Sequence, residues 1–102
     1  AALAAADPLR KAAALDPAAA EVLGAVYLAN GRAADAVRVL EPAAASADRD
    51  RTAGCRVQLA RAYHAAARPA AAEQMLASAA GLPMSDRERA DYQDAYEAVR
   101  RR

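Results

Sequence analysis

Leu23-Gly24-Ala25-Val26-Tyr27, followed by Asn30-Gly31, Ala36 and Leu40, is the stretch on which the fold turns. It recurs 36 residues later in altered form. Leu59-Ala60-Arg61-Ala62-Tyr63 is followed there by Ala67, Ala72 and Leu76. Each copy holds two apolar patterns at helical spacing with a break between them, so one copy is one helix hairpin. A hairpin repeated at such a period is the sequence mark of a stacked helical array, because one hairpin cannot bury its apolar face alone. In such an array function is a matter of surface.

Helix punctuation around these copies is legible. Asp7-Pro8 and Asp16-Pro17 each pair an N-cap acceptor with a proline whose missing N–H costs nothing in a first turn. They predict a short helix over Pro8 to Leu15 and a second from about Pro17 to Ala29. Asn30-Gly31 stops the second, since glycine takes the left-handed terminal conformation freely. A third helix is expected over about Ala33 to Ala45, with Pro42 predicting a kink or an early end. Ser46 to Arg51 is polar and reads as a connector. A fourth helix is expected over Thr52 to Ala67, burying Val57, Leu59, Ala60 and Tyr63. A fifth covers Ala70 to Ala80, turning inward Met75, Leu76 and Ala79, with Gly81 and Pro83 ending it. Ser85-Asp86-Arg87-Glu88 is a capping box and opens a last helix to about Arg101. That helix is expected to bury Ala90, Tyr92, Ala95, Tyr96 and Val99. The paired acids Asp48/Asp50 and Glu88/Asp91 all have arginine neighbours and read as solvated ion-pair faces.

These residues resemble the tetratricopeptide repeat, which pairs Leu-Gly or Leu-Ala with a later Tyr on its first helix and sets Ala and Leu on its second. Leu23, Gly24, Tyr27, Gly31, Ala36, Leu40 and Ala43 fit one unit. Leu59, Ala60, Tyr63, Ala72, Leu76 and Ala79 fit another. Leu9 to Pro17 resembles the end of a preceding unit. The resemblance implies one all-α domain, a right-handed α-α superhelix of stacked hairpins. Its parts are residues 1–16 closing a preceding repeat, 17–47 and 52–83 as repeats, and 85–102 as a capping helix. Departures are Ala20 and Arg56 where an aromatic residue is usual, Ala67 for the turn glycine, and the polar connector in place of Leu-Asp-Pro. A general Ala-rich helical bundle is the alternative fold.

Composition agrees with a helical scaffold. The chain has 102 residues, no Trp or Phe and four Tyr. Alanine supplies roughly a third, far above average usage. Alanine favours helix and lets helix axes approach closely. Fourteen basic residues stand against 13 acidic ones, which argues against a nucleic-acid module. No run of 18 apolar residues exists to enter a membrane. The single Cys55 cannot form an internal disulfide and leaves cytoplasm and periplasm both open. The Ala and Arg bias fits GC-rich codons and predicts a bacterial source.

No cofactor, metal or catalytic site is expected. Cys55 and His64 are the only Cys and His, nine residues apart on one expected helix. That separates them by roughly 13 Å along the axis, beyond the reach of a thiolate–imidazole pair. There is no phosphate loop and no nucleophile-elbow motif. Cys55 reads as a packing residue, Tyr92 and Tyr96 as a packing stripe, and Arg100 to Arg102 as a solvated end.

In the family resembled, first helices line the concave face. The positions that would face it are Glu21, Ala25 and Leu28 of one unit, and Val57, Arg61 and His64 of the next. Arg61 and His64 lie three apart and share a helix face, suited to a carboxylate or an acidic peptide. The family's chaperone-tail clamp is absent, since Val22 and Ala25 stand at its polar positions. The function expected is non-catalytic docking of a protein or peptide partner. One alternative is a spacer or homo-oligomerisation segment of a larger bacterial assembly, such as an exopolysaccharide or cellulose export subunit, pairing through an open N-terminal end. Another is an accessory domain whose active part lies elsewhere.

Overall fold

The computed structural model describes residues 16–45 and 52–101. Among the described residues there are five helices and no strand: α1 Pro17–Ala29, α2 Ala33–Ala44, α3 Ala53–Ala65, α4 Pro69–Ala80 and α5 Asp86–Arg100. The chain is all-α in this region. The short helix expected over Pro8 to Leu15 and the Ser46 to Arg51 connector fall outside the described residues.

The period seen in the sequence is present in the helix bounds. Residues 17–29 and 53–65 form α1 and α3; residues 33–44 and 69–80 form α2 and α4. Each pair is offset by 36 residues. α1 pairs with α2, and α3 with α4. α3 packs on both α1 and α2, and α5 packs in the same way on both α3 and α4. Burial follows the same step: Leu23, Tyr27, Ala36 and Leu40 are buried, and so are Leu59, Tyr63, Ala72 and Leu76.

α5 continues this phase. Its buried residues are Ala95 and Val99, one period beyond Leu59 and Tyr63. Tyr96 stands one period beyond Ala60 and two beyond Gly24, and is 39% exposed. Small residues are needed at those two places because a second helix lies against them. A Cβ built on Gly24 would meet Leu40 carbons at 2.6 to 2.8 Å. No described helix covers the matching side of α5, and a tyrosine fits there. The stripe expected on this helix is therefore narrower than its sequence suggested. Ala90 and Tyr96 are exposed and Tyr92 is half-buried. Tyr96 stacks on Tyr92 at 6.1 Å and accepts a hydrogen bond from Arg100 at 2.9 Å.

Local signals explain the helix ends. Asp16 accepts a hydrogen bond from the Ala18 N–H at 3.0 Å, with Pro17 in the first turn. The capping box at Ser85 and Glu88 is complete, at 3.1 and 2.8 Å. α2 runs through Pro42 to Ala44 rather than ending early. Pro42 lies near the end of the helix and is exposed. The carbonyl it leaves without a donor belongs to Arg38, another exposed residue, where water can satisfy it.

Two contacts tie the hairpins together. The Tyr63 hydroxyl donates to the Glu41 carboxylate at 2.6 Å, joining α3 to α2. Burial and this acceptor push the Tyr63 hydroxyl up to about 12, partly offset by Arg68, whose guanidinium lies 5.0 Å over the ring. The Cys55 thiol donates to the Pro17 carbonyl at 2.9 Å, joining α3 to α1.

Candidate functional site

α1, α3 and α5 share one face, and its residues reveal the helix directions. One depression, of about 370 Å³, brings together Glu21, Val22 and Ala25 of α1, Gln58 of α3, and Arg87, Glu88 and Asp91 of α5. A second, of about 400 Å³, brings together Leu28, then Arg61, His64 and Ala65, then Asp94 and Ala98. Numbering rises in the same sense on all three helices, so they run parallel. The two depressions are successive stretches of one furrow. Ala25 and Leu28, Gln58 and Arg61, and Asp91 and Asp94 each sit one turn apart across the join.

The expected groove residues divide as follows. Leu28, Arg61 and His64 come together in one depression. Glu21 lines the other, and Ala25 lies beside it. Val57 does not face the groove. It is 1% exposed and belongs to the core. Helix geometry does not separate it from Arg61, which lies one turn further along the same side of α3. Val57 is buried because its turn of the helix is packed into the core, whereas Arg61 one turn on is exposed.

Arg61 is oriented by a neighbour. Its Nη1 donates to the Gln58 side-chain oxygen at 3.2 Å. Gln58 is itself buried, which holds the guanidinium at the join of the two depressions. His64 is half-buried on the next turn. At the other end the Glu21 carboxylate lies against Gly54, in the first turn of α3. A side chain at 54 would occupy its place. The first turn of a helix is favourable ground for a carboxylate. Even so, burial raises the Glu21 carboxyl above its ordinary value of 4.5, and the nearby Glu88 and Asp91 raise it further; Arg87 opposes them.

α5 changes the electrostatics expected of this face. Arg61 and His64 alone suggested an acidic partner. With α5 in place the furrow holds four carboxylates, Glu21, Glu88, Asp91 and Asp94, against two guanidiniums, Arg61 and Arg87. The sequence signal was available. Glu88, Asp91 and Asp94 fall three apart in succession, which sets them on one side of a helix. Glu88 and Asp91, read as ordinary solvated acids, gave no hint of the face they would join. Gly54 carried no signal at all, because the Glu21 side chain that occupies its space comes from a different hairpin.

Cys55 and His64 lie near opposite ends of α3, so they cannot form a dyad. Cys55 is buried, and burial followed by the charges of Glu21 and Asp16 pushes its thiol up to about 12. A thiol so placed is a poor nucleophile. Among the described residues, no cluster of three or more His, Cys, Asp or Glu side chains could hold a metal ion. Among them, too, no helix is long and apolar enough to cross a membrane. Compared with known proteins, the chain matches no family model, no curated protein and no solved structure.

Proposed function

We propose that this chain is a non-catalytic docking module, a right-handed stack of helix hairpins resembling tetratricopeptide repeats. A segment of a protein partner lies along the face made by α1, α3 and α5. The observation that carries this reading is the furrow itself. Three parallel helices present two joined depressions on one side, with apolar Leu28 and Val22 and oriented Arg61 exposed to a ligand. The 36-residue step supports the array, because α5 repeats toward the second hairpin the packing of α3 toward the first.

A peptide-display selection against the folded chain tests it. Selected binders are expected to lose at least tenfold in affinity to Ala25→Trp, which fills the furrow. Gln74→Trp, at an exposed site on α4, is expected to leave them unchanged. Binders indifferent to Ala25→Trp would show that this face is not the docking surface.

A further inference from the structure

We infer that the segment received by this face is basic, a stretch of a partner protein whose Lys or Arg side chains lie over Glu21, Glu88, Asp91 and Asp94, with an apolar residue against Val22 and Leu28. This rests on the docking reading above and adds the chemistry of the partner.

Three observations support the sign. The first is the charge balance of the furrow: its four carboxylates come from two helices, α1 and α5, and outnumber two guanidiniums. The chain as a whole carries a formal charge of +1, so the negative charge is local to this face. The second is that these carboxylates are not spent in ion pairs among the described residues, although Glu88 also accepts the Ser85 N–H in its capping box. The ion pairs among the described residues are Arg32 and Arg38 with Asp35, and Arg101 with Glu97. None uses a furrow acid. The third is the apolar floor. Val22 is 53% exposed beside the acids, and Leu28 lines the neighbouring depression. Interleaved carboxylate and apolar surface fits a basic segment with apolar residues and repels phosphate.

The spacing sets a scale. Glu21 and Leu28 lie seven residues apart on α1, about 10 Å along the axis at 1.5 Å per residue. An extended segment covers that in about three residues. The cationic residue over Glu21 and the apolar residue against Leu28 are therefore about three positions apart.

The test uses the whole 102-residue chain and two fluorescein-labelled nonapeptides, Gly-Lys-Ala-Lys-Leu-Ala-Leu-Ala-Gly and the same peptide with Glu for Lys, followed by anisotropy. The basic probe is expected to bind at least tenfold more tightly than the acidic one. Asp94→Lys is expected to weaken it at least fivefold. Glu73→Lys, the same change of charge outside the furrow, is expected to leave it within twofold. Circular dichroism checks that both variants fold. Tighter binding of the acidic probe would overturn the basic assignment and leave docking intact. Equal losses from both variants would reveal diffuse attraction, not a site, and would also overturn it. If neither probe binds at millimolar concentration the assignment fails, and the Ala25→Trp selection decides separately whether the face docks anything.

Discussion

The two hairpins are built to one plan and differ at the places where the plan is tightest. Each first helix ends in the same double-bonded cap. Gly31 and Arg32 N–H groups donate to Leu28 and Tyr27 carbonyls at 3.1 and 2.8 Å; Ala67 and Arg68 donate to His64 and Tyr63 at 3.1 and 2.8 Å. The backbone is left-handed at both turns, with φ of 71° at Gly31 and 61° at Ala67. Glycine adopts that conformation freely, whereas an L side chain is strained by it. Ala67 thus holds a glycine geometry without being glycine. The tertiary pairing of α3 with α4 dictates the turn, and the sequence at that point follows with some strain. At Gly24 the first hairpin is the tighter one, since Ala60 of the second accommodates the Cβ that Gly24 lacks.

The sharpest way to break the comparison is Gly24→Ala. It gives the first hairpin the residue of the second. Its Cβ would collide with Leu40, which is fully buried and has little room to move. A loss of about 2 kcal/mol is expected from overpacking, read from urea unfolding. The reciprocal Ala60→Gly is expected to cost about 1 kcal/mol through helix propensity alone. A gain in stability from Gly24→Ala would mean that the two hairpins pack equally loosely.

Exchanging the turns comes next. Ala67→Gly relieves the left-handed strain and is expected to stabilise by about 1 kcal/mol. Gly31→Ala is expected to destabilise by a similar amount. Thermal unfolding of the pair checks this, and shifts of the same sign would show that the two turns are not equivalent.

The paired tyrosines sharpen the contrast further. Tyr63→Phe removes the donor to Glu41, an exposed carboxylate, at a cost of about 0.5–1 kcal/mol. Tyr27 makes no side-chain hydrogen bond among the described residues, so Tyr27→Phe is expected to be near neutral. An absorbance titration should find one tyrosine, Tyr63, ionising near 12.

The smallest effect concerns pH. The folded Glu21 carboxyl holds its proton more tightly than its ordinary value of 4.5. The folded state therefore takes up a proton first as pH falls. Stability from this group rises as pH drops through the raised folded value, is fully present below 4.5, and is absent at neutral pH. Glu21→Gln is expected to flatten that rise and to leave the chain at least as stable at neutral pH. A steeper acid dependence in Glu21→Gln would assign the effect to other groups.

Much of the fold was legible because its signals are local. Asp16-Pro17, Asn30-Gly31 and the Ser85–Glu88 box each act within a few residues, and each marks a helix end as expected. The period of 36 was visible because packing repeats residue by residue. Pro42 did not end α2 early, because it lies close to the helix end and the carbonyl it orphans belongs to an exposed residue. Val57 misled because it lies one turn from Arg61 on the same side of α3, and spacing does not say which turns of that side the packing covers. Tyr96 misled because an aromatic residue at helical spacing is core only where a second helix covers it.

Composition and spacing alone determined the all-α class, most helix limits, the unit length and the buried Leu, Ala and Tyr ladder, because these depend on backbone propensity and on periodic burial within short stretches. Tertiary structure alone decided the character of the face. It set α1, α3 and α5 in parallel, placed the acids of α5 beside Glu21 and Arg61, and buried Val57 while leaving Arg61 exposed. Charges on separate helices share a field only once packing has brought the helices within a few ångströms of one another.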